Sequence, residues 1–177
     1  RVPLGPVIDT GAAVALSPHK AGGLRGNGAL VGHDIHKRLR PLMYGGGQEL
    51  GLRPGTPSVA LAAANAMATK LAVRDCERRA EVMLRNRVAF HDALMATGCQ
   101  AQVLTPLQRS IPNTIMMCFE GVEGRSLLPA LDLAGVQASH GSACSSGSPT
   151  PPRVLASMRV SEQLARACVR FLSLIHI

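Results

Sequence analysis

Ala12-Ala13-Val14-Ala15-Leu16-Ser17-Pro18-His19-Lys20-Ala21-Gly22-Gly23 carries an apolar run straight into a serine, a proline and a lysine closed by two glycines. An apolar pentad that stops at a polar residue reads as a short strand buried on both faces. Gly28 to Val31 forms a second run of this kind. Lys20 is therefore predicted on a glycine-rich loop leaving a strand end, a place where sheet proteins commonly build sites. It is one of only three lysines beside a large excess of arginine. An amine held in such a loop can act as a nucleophile.

Working outward from that loop, residues 34 to 43 read as a short helix ended by Tyr44-Gly45-Gly46-Gly47. Thr56 as N-cap and Pro57 in the first turn then start an alanine-rich helix that runs to about residue 72. Helical spacing resumes from Asp75 to Met95, and a domain boundary is expected there, giving 1–74 and 75–177. The second part should hold a strand at 114–119, a helix at 124–134 and a short strand at 135–138. A loop around Cys144, helices at about 151–158 and from Ser161, and a strand near 169–173 complete it. Alternating strands and helices indicate α/β or α+β architecture.

Composition narrows the function. The chain has 177 residues, 46% of them hydrophobic, enough for a buried core. Aromatics are only 2% with no Trp, which argues against a base-stacking surface. The formal charge is +8, but the arginines are scattered and Arg78-Arg79 is their only adjacent pair, so no nucleic-acid partner is expected. No apolar run reaches the length of a membrane span and nothing at the start reads as a signal peptide, so a reducing cytoplasm is expected. Five cysteines at 76, 99, 118, 144 and 168 are an odd number at irregular spacing, which predicts neither a disulfide framework nor a zinc site. Cys118, in an apolar run after Ile115-Met116-Met117, reads as a small core residue, and Cys76, Cys99 and Cys168 read as structural.

Cys144 differs from these. It lies in Ser139-His140-Gly141-Ser142-Ala143-Cys144-Ser145-Ser146-Gly147-Ser148, where small hydroxyl residues and glycines give a thiol access and mobility. His140 and Cys144 form an H-x-x-x-C spacing, but two candidate ligands do not make a metal site, and no metal is expected.

Four blocks in order resemble the cysteine desulfurases of the class V aminotransferase superfamily, and most closely their iron-sulfur-assembly branch. Ser17-Pro18-His19-Lys20-Ala21-Gly22-Gly23 resembles the segment in which a serine or threonine and a histidine precede the Schiff-base lysine. Gly45-Gly46-Gly47-Gln48-Glu49-Leu50-Gly51-Leu52-Arg53-Pro54-Gly55-Thr56 resembles the next block, with Leu50 where the family has arginine. Gly141-Ser142-Ala143-Cys144-Ser145-Ser146-Gly147 is similar to the persulfide-forming loop, with His140 where the family has a small residue. Cys168-Val169-Arg170-Phe171 resembles the segment whose arginine pairs with the substrate carboxylate.

The resemblance implies a fold of the pyridoxal-phosphate-dependent transferase type I class, aspartate-aminotransferase-like. It would comprise the end of the large cofactor domain (1–74) and a small C-terminal α+β domain (75–177). It implies pyridoxal 5'-phosphate held by Ser17, His19, Lys20 and Thr56, and L-cysteine bound by Arg170. Lys20 and Cys144 would be the catalytic residues, Cys144 taking sulfur as a persulfide while L-alanine is released. It further implies a homodimer in which Thr56 reaches the neighbouring subunit's cofactor, and a sulfur-acceptor or scaffold protein in iron-sulfur cluster or thio-cofactor assembly. Two other readings stay open: a selenocysteine lyase or other class V enzyme, and a non-catalytic fragment or scaffold. In the family, the aspartate facing the pyridinium nitrogen and the residue stacked on its ring precede the lysine by more than nineteen residues, the number available here. The last residues, from Leu172, also leave the family pattern. The chain alone is accordingly expected to be poorly soluble or partly unfolded, and inactive.

Overall fold

Residues 4–140 and 153–173 are described by the computed structural model. The chain divides into two units, Arg1–Glu77 and Arg78–Ile177. In the first, α1 (Gly5–Asp9) leads into β1 (Val14–Leu16), which pairs antiparallel with β2 (Ala29–Val31) in the register Val14↔Val31 and Leu16↔Ala29. Both runs were expected to be buried. Instead β1 alternates between half-buried and exposed, and β2 is exposed throughout, with Leu30 48% accessible. The cause is that the two strands form a ribbon with no third strand among the described residues, and a two-stranded ribbon cannot bury both faces.

Further corrections have local causes. The helix expected over 34–43 is confined to α2 (Ile35–Arg38), because Pro41 disfavours helical backbone just before it and Leu39 is already extended. A 3-10 turn at Gln48–Gly51 holds Glu49 and Leu50 at φ 49° and 58°, the left-handed region. The long helix α3 (Val59–Arg74) is capped by Ser58 rather than Thr56, since the Ser58 Oγ accepts the Leu61 N–H at 3.4 Å, the usual reach from N-cap to N3. Thr56 and Pro57 precede the helix.

Asp75 separates α3 from α4 (Cys76–Ala96), whose first two residues close the first unit. In the second unit β3 (Ala101–Val103), β4 (Thr114–Phe119) and β5 (Cys168–Leu172) form an antiparallel sheet in the order β3-β4-β5. Helices α5 (Gly124–Leu133), α6 (Arg153–Ser157) and α7 (Glu162–Arg166) complete it. β4 is buried on both faces, so its side chains sort by period two. Ile115, Met117 and Phe119 join Val169 against Phe90 and Leu94 of α4 and Leu127 and Leu131 of α5. Met116 and Cys118 face the other way with Leu155, Ala165 and Cys168. All three phenylalanines of the chain meet on the first face, Phe171 lying 4.9 Å from Phe90 and 6.4 Å from Phe119 between ring centroids. No regular strand forms at 135–138; the chain there reaches β5 through a single bridge between Ser139 and Arg170.

The expectation of unpaired core thiols does not hold: Cys118 and Cys168 are joined by a disulfide. They stand directly opposite each other on β4 and β5, with Cα atoms 3.9 Å apart. Spacing along the chain could not reveal a partner 50 residues away that only strand register brings opposite.

Arg87 is a buried charge that the scatter of arginines along the chain does not single out. It is 5% exposed on the inner face of α4 and donates to the Ser110 Oγ at 2.6 Å, the Ile111 carbonyl at 3.1 Å and the Thr105 carbonyl. Burial pushes its guanidinium below the ordinary arginine value. These bonds tie the 105–111 loop to α4. Truncating Arg87 to alanine should strand those acceptors and lower unfolding stability by about 2–4 kcal/mol. Chemical denaturation of the variant should show it as a lower midpoint at unchanged slope.

Candidate active site

The segment carrying Lys20 is built by local rules. Pro18, which needs no N–H partner, opens a 3-10 turn over Pro18–Ala21 directly after β1, and its ring is the buried foot of that turn. Lys20 was expected in irregular loop; it sits on this turn, its N–H bonded to the Ser17 carbonyl at 2.9 Å. Gly22 stops the turn at φ 94°, and the Gly23 N–H returns to the Pro18 carbonyl at 2.9 Å.

What pins the turn comes from α3. Asn65, 4% exposed, accepts the Leu24 N–H on Oδ1 at 2.7 Å and donates from Nδ2 to the Asn27 Oδ1. A Cβ at Gly23 would collide with the Asn65 Oδ1 and lie 3.0 Å from the Pro18 carbonyl, so only glycine passes between the turn and the helix. Sequence reasoning missed Asn65. Its signal was present as one amide in Ala62-Ala63-Ala64-Asn65-Ala66, a polar residue whose neighbours are all alanine.

The result is a short, braced projection. Ser17, His19 and Lys20 are all exposed on it, and the Lys20 amine has no hydrogen bond or ion pair among the described residues. Lys37, by contrast, is paired with Asp34 at 3.1 Å. Thr56 lies in the same unit, exposed and freed from capping, with no hydrogen bond to Ser17, His19 or Lys20 among the described residues.

Arg170 belongs to the second unit. On β5 it pairs across to Met116 on one side and, on the other, exchanges backbone hydrogen bonds with Ser139: N–H to Ser139 carbonyl at 2.7 Å and Ser139 N–H to Arg170 carbonyl at 3.0 Å. Its Nε donates to the Ser139 Oγ at 3.1 Å. No carboxylate pairs with its guanidinium among the described residues. The neighbouring His140 Nδ1 lies 2.7 Å from the Cys168 carbonyl; a carbonyl only accepts, so Nδ1 carries the proton. Gly124, at the start of α5, is packed so closely here that a Cβ would fall 2.9 Å from His140 Nδ1 and 2.8 Å from the Arg166 carbonyl.

Cys144 lies outside the described residues. Ser17, His19 and Lys20 are thus grouped on one turn, with Thr56 elsewhere in that unit and Arg170 in the other. Among the described residues no three His, Cys, Asp or Glu side chains are arranged to hold a metal, and no helix is long and apolar enough to cross a membrane.

The chain has relatives among known proteins. Residues 7–170 match the family model described as aminotransferase class-V. The chain is 37% identical over 160 residues to the cysteine desulfurase IscS of Dictyoglomus turgidum, an alignment covering 89% of this chain and 40% of that protein. Among solved structures it is similar to a NifS-like protein, with a TM-score of 0.76 and 31% identity over 91% of this chain and 40% of the other. It is also similar to SspA, solved in complex with cysteine, with a TM-score of 0.67 and 28% identity over 90% of this chain and 43% of that one. The chain spans about 40% of the length of the curated relatives it matches. The fold expected from the sequence, that of the NifS-like members of this family, is the one found.

Proposed function

The chain belongs to the class V aminotransferase family, and on that premise we propose that it supplies the reactive lysine, sulfur-accepting thiol and carboxylate-binding arginine of a pyridoxal-phosphate-dependent cysteine desulfurase. The observation that carries this reading is Lys20, an amine with no partner among the described residues, on a turn braced by a buried asparagine. Its chain is 37% identical to a cysteine desulfurase.

The residues around Lys20 suit the cofactor. A primary amine matches an aldehyde, while the exposed Ser17 hydroxyl and His19 imidazole can donate to a phosphate. Thr56, released from capping, has a hydroxyl to offer a second phosphate, which we assign to the neighbouring subunit of a homodimer. Bound pyridoxal phosphate supplies an electrophilic aldehyde and a ring that draws charge from the substrate Cα.

The chain's own groups do the rest. Arg170 binds the L-cysteine carboxylate through its guanidinium. Lys20 moves the proton at the substrate Cα. Cys144, as thiolate, attacks the substrate sulfur: the new S–S bond forms as the Cβ–S bond breaks, and that bond's electron pair stays on carbon, which is protonated to give L-alanine. The persulfide sulfur on Cys144 then passes to an acceptor protein that feeds iron-sulfur clusters or other thio-cofactors.

The two stages use different residues, so they separate in one experiment. Cys144→Ser in the whole protein should retain cofactor absorbance yet lose sulfide release from L-cysteine by about 100-fold or more. Release at the unmodified rate would remove Cys144 from the reaction.

A further inference from the structure

We infer that Ser139 is a positioning residue for substrate recognition: it takes up the Nε of Arg170 so that the two Nη groups meet the substrate carboxylate end-on. The inference rests on the desulfurase reading above, since it concerns how that reading's arginine is aimed.

An arginine can meet a carboxylate in two bidentate ways, side-on through Nε and one Nη or end-on through both Nη groups. Left to itself, a guanidinium on a flexible stem samples both and loses rotamer freedom when a ligand fixes one. Here the choice is made before any ligand arrives. The Ser139 Oγ stands 3.1 Å from Nε as its acceptor, which closes the side-on approach. The serine is itself held by the two backbone hydrogen bonds it exchanges with Arg170, at 2.7 and 3.0 Å. One residue on, the His140 Nδ1–H fixes the same segment to the Cys168 carbonyl at 2.7 Å, against a glycine that admits no side chain. Arg170 and Ser139 are both half-buried, so water competes weakly for that bond, and no described carboxylate competes for the Nη groups. A preset arginine gains affinity for a carboxylate by having less freedom to lose.

Steady-state kinetics on the cofactor-loaded whole protein can test this. Ser139→Val keeps the shape and removes the hydroxyl, while Ser139→Thr keeps a hydroxyl. The valine variant should raise KM for L-cysteine about three- to tenfold with kcat within twofold, and the threonine variant should restore KM. Cysteamine, which has the amine and thiol of cysteine but no carboxylate, supplies the control. Its dissociation constant, read from the change in cofactor absorbance, should be the same for all three proteins. An unchanged KM in Ser139→Val, or an equal weakening of cysteamine, would overturn the role of Ser139 while leaving the desulfurase reading in place. Failure of the unmodified protein to bind L-cysteine more tightly than cysteamine would remove Arg170 as a carboxylate site, and this inference with it.

Discussion

Lys20→Ala should remove the covalent link to the cofactor and lower L-cysteine turnover by orders of magnitude while leaving the fold almost untouched. The two effects part company because of where the lysine stands. Its amine is exposed and has no partner among the described residues, and the turn beneath it is held by Pro18, Gly22 and Asn65 through main-chain and amide hydrogen bonds that alanine leaves intact. A surface substitution of that kind costs within about 0.5 kcal/mol, a shift of roughly 2 °C or less in Tm for a chain of this size. Loss of the proton-moving amine, by contrast, should lower kcat by about 10²–10⁴-fold even where Ser17 and His19 still retain some cofactor. Borohydride reduction of the loaded protein followed by peptide mapping should place the cofactor label on Lys20. A label on Lys37, which is paired to Asp34, or on Lys70 of α3 would sink the assignment. A large drop in Tm would make Lys20 a structural residue instead.

The parts of the fold that were legible in the sequence are those decided by neighbours. Thr114–Phe119 reads as a buried strand because five consecutive residues are apolar, and 115 to 119 are all buried. Ser161 announces α7 as a hydroxyl at a helix start, and its Oγ accepts the Leu164 N–H at 3.3 Å. Even the misplaced cap of α3 is a contest between two hydroxyls two residues apart, settled by which one reaches its N3 amide. What was not legible depends on partners far along the chain. Asn65 meets Leu24 across 41 residues, Arg87 meets Ser110 across 23, and Arg170 meets Ser139 across 31. A single polar residue in a helix or strand gives no sign of which distant group will satisfy it.

The same distinction separates the two kinds of site residue. Lys20 and Cys144 stand out in sequence because glycine, serine and histidine crowd around them, whereas Ser139 looks like one more small residue of its loop. Among the described residues, the bridge to β5 is what brings Ser139 beside Arg170. The strands expected to be buried, β1 and β2, erred in the opposite sense: their composition is right for a buried sheet, yet burial needs layers on both faces. Leu42, Tyr44 and Leu50, 97%, 86% and 79% exposed, carry the same unpartnered apolar character along the first unit.

Cleaving the Cys118–Cys168 bond should produce the largest stability change available in the second unit. The bridge closes a loop of 50 residues; on the chain-entropy account, a crosslink of that span stabilises the folded state by about 4 kcal/mol. Cys118→Ala should therefore lower the thermal midpoint by on the order of 10 °C, and full reduction of the unmodified protein should do the same. The rate of reduction carries a second expectation. Cys118 and Cys168 are 0% and 1% exposed between β4 and β5, so a thiol reductant can reach a sulfur only when those strands part. Reduction should be slow under native conditions and accelerate steeply in mild denaturant, following the opening of the sheet and not the reductant's strength. Equal midpoints for the oxidised, reduced and Cys118→Ala proteins would show that the bridge contributes nothing to stability. Rapid reduction in native buffer would show instead that β4 and β5 part readily, and that the strand carrying Arg170 is far less firmly held than its backbone hydrogen bonds imply.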